Sequence, residues 1–279
     1  MSDAQKPKKS SGKVVLYFFL LLAFLFAGVV FISNTGNDLE SKRGSRKFAP
    51  KFSKDKGKSA TSNRDLDAVE LNTLGSKQME ANDFKAAENT FRQLLQIKKD
   101  DPAGFHNLGM ALFSQERYEE SLPYFQEAVN LNPNSEESIL SFANAARLKG
   151  DLSVSQTLLE NLVKVKPENA KAFMNLGLTY DAARDPGKAT VAYVKSLELD
   201  PSNPTARYNL GNAYLRTSKL DEAKQQYQKA IELKPDYAKA FSNLGNVFLK
   251  QGDTISSQKY FKMALQLDPK LRERVKSAK

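Results

Sequence analysis

Residues 204–237 read PTARYNLGNAYLRTSKLDEAKQQYQKAIELKPDY, and residues 238–271 read AKAFSNLGNVFLKQGDTISSQKYFKMALQLDPKL. The two stretches align without a gap, and the same pattern recurs upstream with a period of 34 residues. Its first marker is a Leu-Gly pair, found at Leu74-Gly75, Leu108-Gly109, Leu176-Gly177, Leu210-Gly211 and Leu244-Gly245, with Phe142-Ala143 at the equivalent place. Such a fixed period indicates a repeat architecture.

Three further markers share this period. Prolines close the units at Pro133, Pro167, Pro201, Pro235 and Pro269. Small residues recur at Ala87, Ser121, Ser155, Ala189, Ala223 and Ser257, and large ones four positions later at Phe91, Phe125, Leu159, Tyr193, Tyr227 and Phe261. The pattern predicts helical hairpins, in which the glycine of the first helix allows close approach and the small residue of the second accepts the contact. Gly150-Asp151 and Gly252-Asp253 read as the turns between helices.

These residues resemble the tetratricopeptide repeat, in six units without insertion: 68–101, 102–135, 136–169, 170–203, 204–237 and 238–271. The first unit has Lys99 where the others have proline, and 136–169 is degenerate, with Leu162 replacing a small residue. The resemblance implies an all-α, right-handed superhelical solenoid of helix-turn-helix units, because neither helix of a hairpin can bury its apolar stripe alone. The whole layout is similar to that of bacterial single-pass membrane proteins with such repeats.

The net charge of +10 does not indicate a nucleic-acid-binding protein. Residues 1–67 hold 13 basic and 6 acidic side chains, so the remaining 212 residues carry only 29 minus 26, or +3. A nucleic-acid-binding domain concentrates basic charge on its folded surface. The absence of cysteine excludes disulfides and thiol chemistry, and a single histidine, His106, excludes a multi-histidine metal site. No cofactor motif and no catalytic constellation is present, so an enzyme is not expected.

Residues 14–32 form an unbroken apolar run of 19 residues without charge, which predicts a transmembrane helix about 28 Å long. A cleaved signal peptide is the alternative, but no Ala-x-Ala site follows the run. Residues 1–13 read as a basic tail, 33–67 as a basic flexible linker and 272–279 as a C-terminal tail. Four lysines precede the run closely, which favours a cytoplasmic N-terminus and translocated repeats.

The resemblance implies a concave wall formed by the first helix of each unit. Asparagines flank the Leu-Gly pair there, and they could hold a peptide backbone, although they are also common in the family for local packing. The candidate peptide-binding residues are Asn107, Met110, Asn144, Asn175, Leu178, Tyr208, Asn209, Asn212, Arg216, Lys239, Asn243, Asn246 and Lys250. The early and middle wall is expected to be apolar, with His106, Met110, Phe113, Met174, Leu178 and Tyr208, although several of these could simply seal adjacent repeats. Arg216, Lys239 and Lys250 make its end basic. The side chains of Asn212, Asn246, Arg216 and Lys250 are expected to face solvent when no ligand is bound.

The sequence therefore predicts a membrane-anchored scaffold that binds a protein or peptide partner in the groove and contacts the bilayer through residues 14–32. A periplasmic repeat domain on a bacterial inner membrane, assembling an envelope complex or a secretion machine, is the leading interpretation. An organelle-surface receptor with cytosolic repeats, capturing precursor polypeptides, is the alternative. An enzyme subunit would require a catalytic partner supplied in trans.

Overall fold

The computed structural model describes residues 67–271, and every regular element in this range is helical. The α-helices are α1 Ala68–Glu80, α2 Phe84–Ile97, α3 Pro102–Ser114, α4 Tyr118–Leu131, α5 Glu136–Lys149, α6 Leu152–Val165, α7 Ala170–Ala182, α8 Pro186–Leu199, α9 Pro204–Arg216, α10 Leu220–Leu233, α11 Ala238–Lys250 and α12 Thr254–Leu267, followed by the 3-10 turn Pro269–Leu271. The all-α prediction is confirmed for this part of the chain.

The predicted membrane helix 14–32 lies outside the described residues, as do the tail 1–13, the linker up to residue 66 and the tail 272–279. Within 67–271, no helix combines the length and the apolarity that a membrane span requires.

The first helix of most units begins at a side chain that caps its free backbone amides. Asp67 accepts hydrogen bonds from the amides of residues 69 and 70, and Glu70 returns a bond to the Asp67 amide, which makes a capping box. At α7 and α9 the N-cap side chains Asn169 and Asn203 accept hydrogen bonds from first-turn amides, without the returning bond of a capping box. Proline occupies the first helical position of α3 and α9, where no amide partner is lost.

The turn between the two helices of each unit has a residue with a left-handed backbone, with φ between 58° and 101°. These residues are Asn82, Glu116, Gly150, Arg184, Ser218 and Gly252. The two glycines were predictable turn signals. The other four positions carry side chains that adopt this conformation at a cost, because the Cβ atom approaches the following carbonyl oxygen.

The two helices of a unit approach each other where the glycine of the first helix meets a large ring of the second. A Cβ atom at Gly211 would lie 2.7 Å from Cε1 of Tyr227, and one at Gly109 would lie 2.8 Å from the Phe125 ring. The prediction that the small residue of the second helix accepts this contact is wrong, because aromatic side chains fill the space against the glycine. Both rings are fully buried.

The twelve described helices stack in chain order, each packing against the one before and the one after. From α3 onward, the first helix of each unit also contacts the first helix of the next, more extensively than the second helices contact one another. The first helices therefore form a continuous row, as expected for the inner wall of a solenoid.

The unit 136–169 departs from the common packing. Ala143 and Leu159, both fully buried, stand where other units pair a glycine with an aromatic ring. Beside them, α4, α5 and α6 form a half-open pocket of about 230 Å³. Its lining is Val129, Ile139, Leu158, Leu162 and Val165 on the apolar side and Pro133, Asn134, Glu136, Asn161 and Lys166 around the opening.

Candidate functional site

The candidate site is the first-helix face, defined as the exposed and half-buried side chains of α3, α5, α7, α9 and α11. On α9, Tyr208, Asn212 and Arg216 follow one another at four-residue intervals and lie on one stripe of the helix. On α11 the matching stripe is Asn246 and Lys250, continued by the buried Ser242. Because α9 and α11 are in contact, the two stripes run side by side.

Two of the predicted asparagines bond to each other across this contact. The Asn243 amide donates to Asn212 Oδ1 at 2.7 Å and to the Tyr208 hydroxyl at 3.2 Å. The fully buried Tyr227 donates its hydroxyl to the same Asn212 oxygen at 2.8 Å. Burial raises the pKa of Tyr227 well above its ordinary value, so the hydroxyl stays protonated and must have an acceptor. Asn212 and Asn243 thus join adjacent units.

Three further asparagines are also satisfied within the chain. Asn107 donates to Asn72 Oδ1 at 3.2 Å, Asn144 accepts from Arg147 at 2.6 Å, and Asn175 donates to the Lys171 carbonyl oxygen at 3.0 Å. All three are half-buried. Their bonds leave only part of each amide available to a ligand.

The remaining polar candidates have no intramolecular partner. Within residues 67–271, the side chains of Asn209, Asn246, Lys239 and Lys250 make no hydrogen bond or ion pair. Both asparagines are half-buried and both lysines are exposed. These four side chains therefore offer donors, and in the asparagines acceptors, directly to solvent or to a ligand.

Arg216 is exposed to solvent, but its guanidinium forms an ion pair within the chain. Its Nη2 lies 2.6 Å from Asp181 Oδ1, and the other oxygen of Asp181 accepts from the Tyr193 hydroxyl at 2.9 Å. Burial, followed by the nearby Asp181 charge, raises the pKa of Tyr193 well above its ordinary value. Arg216 therefore faces solvent as expected but is paired within the chain, whereas Asn212 is half-buried and bonded to Tyr227 and Asn243.

The apolar part of the predicted wall is mostly packed between helices. Met110 packs near Phe125 and Phe142, and Leu178 packs against the buried cluster around Tyr193. Tyr208 is half-buried, and its ring packs at a tilt against the rings of Tyr227 and Tyr237. These side chains pack against the core beneath the first-helix face, and each exposes only part of its surface.

His106 belongs to the interior rather than to the wall. It is only 8% exposed, and its Nδ1 lies 3.2 Å from Ser138 Oγ on α5. Burial holds the pKa of His106 below its ordinary value, despite Glu137 at 3.5 Å from Nε2, so the imidazole is neutral at pH 7. A neutral, buried ring that bonds to the next unit has a packing role.

Two charged residues of the face, Arg147 and Asp181, were not among the sequence candidates. The signal for them was present, because the corresponding positions of the other units, at the same 34-residue spacing, are Met79, Phe113, Leu215 and Leu249. Two charges at a place that is otherwise apolar indicate a local function or a local polar network.

The face offers amide, guanidinium and ammonium groups along a row of helices, which suits recognition of a polypeptide. Within the described helices, no group of three His, Asp or Glu side chains is placed to hold a metal ion.

Comparison with known proteins identifies the repeats. Profiles described as "Tetratricopeptide repeat" match residues 102–135 and 238–271, and one described as "TPR repeat" matches 187–218 and 216–252. None of these is a catalytic family. Cellulose synthase operon protein C of Xanthomonas axonopodis pv. citri (strain 306) is 32% identical over 134 residues, or 45% of this chain, but the match spans only 9% of that protein.

Two solved structures share the fold. MamA 41-end from Desulfovibrio magneticus RS-1 is 22% identical, with a TM-score of 0.55 over 61% of this chain and 96% of that one. YrrB, described as a TPR protein with an unusual peptide-binding site, is also 22% identical, with a TM-score of 0.51 over 64% of this chain and 92% of that one. By these profile matches, residues 102–135 and 187–271 of this chain are tetratricopeptide repeats.

Proposed function

We propose that this protein is a membrane-anchored scaffold whose first-helix face binds an extended segment of a partner protein. The observation that carries the proposal is the set of four partnerless polar side chains, Asn209, Asn246, Lys239 and Lys250, on two adjacent first helices. Amides of this kind can bond to a peptide backbone without reading its sequence, and the lysines favour a segment with acidic residues.

The same proposal places the bilayer contact in residues 14–32 and the repeats on the far side of a bacterial inner membrane, where the partner belongs to an envelope complex or a secretion machine. The support is the uncharged apolar run, the lysines before it and the similarity to a bacterial protein.

Proximity labelling from the C-terminus of the full chain tests the binding face. The double variant Asn246→Ala, Lys250→Glu should lose the partners that the wild-type protein labels, because both side chains are free for a ligand. The control variant Asn161→Ala, Lys164→Glu makes the same changes on the exposed side of α6, and it should label the wild-type set. Equal loss in both variants, or in neither, contradicts binding at this face.

Membrane anchoring and topology need a separate experiment. Full-length protein should stay in the membrane fraction through carbonate extraction, and a C-terminal phosphatase fusion should be active only if the repeats are translocated. Carbonate-soluble protein would contradict the anchor, whereas an inactive fusion on an anchored protein would support the organelle-receptor alternative with cytosolic repeats.

A further inference from the structure

Among the half-buried arginines of residues 67–271, Arg147 has the fewest hydrogen bonds and no carboxylate partner. Arg92 and Arg117 both pair with Glu88, at 2.8 and 2.6 Å. Arg207 has no carboxylate, but three of its nitrogens bond to the Pro201 carbonyl oxygen and to Gln226. Arg147 makes one bond, from Nη2 to Asn144, and no carboxylate of the described residues lies within 4.0 Å of it.

The guanidinium is also partly withdrawn from water. Its Nε is buried and has no hydrogen-bond partner within the described part of the chain. Burial lowers the pKa of Arg147, and the tyrosines at 193 and 118 offset this only in part. A charge that is desolvated without a carboxylate costs stability, so the fold gains nothing from this side chain on its own.

The charged groups that act on Tyr193 carry an excess of one positive charge, and Arg147 is one of them. Tyr193 lies within electrostatic range of Arg147, Asp181 and Arg216, and its hydroxyl bonds to Asp181. Asp181 is already paired with Arg216. One carboxylate therefore balances one of two guanidinium groups, and a single negative charge brought from outside would balance the other.

We propose that Arg147 binds the carboxylate of a glutamate or aspartate side chain in a partner segment that lies along the first-helix face. The inference rests on the proposed function and adds the chemistry of one subsite, in the middle of the repeat row on α5. A planar guanidinium pairs with a carboxylate through two parallel hydrogen bonds. Nε of Arg147 is buried, so the two bonds would come from Nη1 and from the second hydrogen of Nη2, whose first hydrogen goes to Asn144. A singly charged carboxylate matches the single charge of the Arg147 guanidinium, whereas a phosphate would bring a second negative charge.

The test uses full-length protein in detergent and two end-capped nonapeptide libraries, with either glutamate or glutamine fixed at the central position. Wild-type protein should bind the glutamate library about tenfold more tightly than the glutamine library, the size of effect expected for a charge-assisted bond. Arg147→Gln should lower binding of the glutamate library to the level of the glutamine library and leave the latter unchanged. Arg147→Lys should restore only part of the difference, because an ammonium cannot form the paired bonds.

Lys164→Gln is the matched control, since it removes one positive charge from the exposed side of the next helix. It should leave binding of both libraries unchanged. Equal binding of the two libraries by wild-type protein, or an equal loss in Arg147→Gln and Lys164→Gln, overturns the subsite but not the proposed function. Failure to bind either library overturns both.

A thermal melt without ligand checks the premise independently. Arg147→Met has a similar length and no charge, so it should melt at least as high as wild type, with a gain of about 2–4 °C if desolvation costs on the order of 1 kcal/mol. A lower melting temperature would mean that Arg147 stabilises the fold, and it would overturn the assignment of this side chain to a ligand.

Discussion

At the scale of single residues, the packing of a hairpin depends on the contact between a glycine and an aromatic ring. Gly211 leaves room for Tyr227, and a methyl group there would come within 2.7 Å of the ring, which is buried and cannot move aside. Gly211→Ala should therefore lower the free energy of unfolding by about 1–3 kcal/mol, the usual cost of overpacking a core. Urea denaturation measures the change.

Gly187 is the matched control for this prediction. It lies in the first turn of α8, is exposed, and a Cβ atom there would meet nothing nearer than Asp185 Oδ1 at 3.5 Å. Gly187→Ala should be neutral or stabilising by up to about 1 kcal/mol, because alanine favours the helix. A comparable loss at both positions would mean that the backbone conformation, rather than the Tyr227 ring, requires glycine.

The same scale separates two kinds of asparagine. Asn212→Ala removes the acceptor of the buried Tyr227 hydroxyl and one partner of Asn243, so it should lower the free energy of unfolding by about 1–3 kcal/mol. Asn246→Ala, at the equivalent place in the next unit, removes no intramolecular bond and should stay within about 0.5 kcal/mol of wild type. Identical melting of the two variants would contradict this division.

At the scale of elements, a buried ionic cluster joins the first two units. Glu88 on α2 bonds to Arg92, Arg117 and Gln115, and its carboxylate is about 10% exposed. Burial raises the pKa of Glu88, but the hydrogen bonds and charges of Arg92, Gln115 and Arg117 outweigh it and hold the pKa below the ordinary 4.5. The carboxylate therefore stabilises the fold above that pH and loses its contribution as the pH falls through the lowered pKa.

Glu88→Gln should accordingly be less stable than wild type by about 1–3 kcal/mol at pH 7, with a difference that shrinks below pH 4.5. Glu222→Gln is the control, because Glu222 is exposed on α10 and makes no ion pair within the described helices. Denaturation at several pH values compares the two. A Glu88 effect that is independent of pH would mean that the amide fails to pack, and that charge is not the cause.

The helical hairpins could be predicted from the sequence, but the contacts between neighbouring units could not. Local markers such as the Leu-Gly pairs and the closing prolines were enough to predict helical hairpins, because hairpin packing is decided within 34 residues. The partner of Asn212 is Asn243, 31 residues away on another helix, and its choice depends on how two units dock. That docking leaves no local pattern, so the sequence could not separate a packing asparagine from a ligand-binding one.

At the scale of the whole molecule, the repeats are not equally stable. The unit 136–169 replaces the glycine–aromatic contact with Ala143 and Leu159, and its two helices pack least extensively of the six hairpins. Amide hydrogen exchange should therefore be faster in 136–169 than in 204–237, which is also an interior unit flanked by repeats on both sides. Equal protection of the two units would contradict this prediction.

A variant that introduces the glycine–aromatic contact into the unit 136–169 tests the cause of its faster exchange. Ala143→Gly with Leu159→Tyr introduces the pair that Gly211 and Tyr227 form in the stronger unit. The double variant should slow exchange across 136–169, whereas either change alone should not, because the ring needs the space that the glycine provides. Slower exchange in a single variant would assign the weakness to one residue instead of to the contact.

The weak packing within the unit 136–169 also has a mechanical consequence. A solenoid whose units touch only their neighbours behaves as springs in series, so a load applied to its two ends produces the largest strain at the most compliant spring. Here that spring is the unit 136–169, whose two helices pack least extensively of the six hairpins. Tension across the domain would then change its curvature at α5 first. The helix that carries Arg147 is therefore the one whose spacing to its neighbours responds most to force.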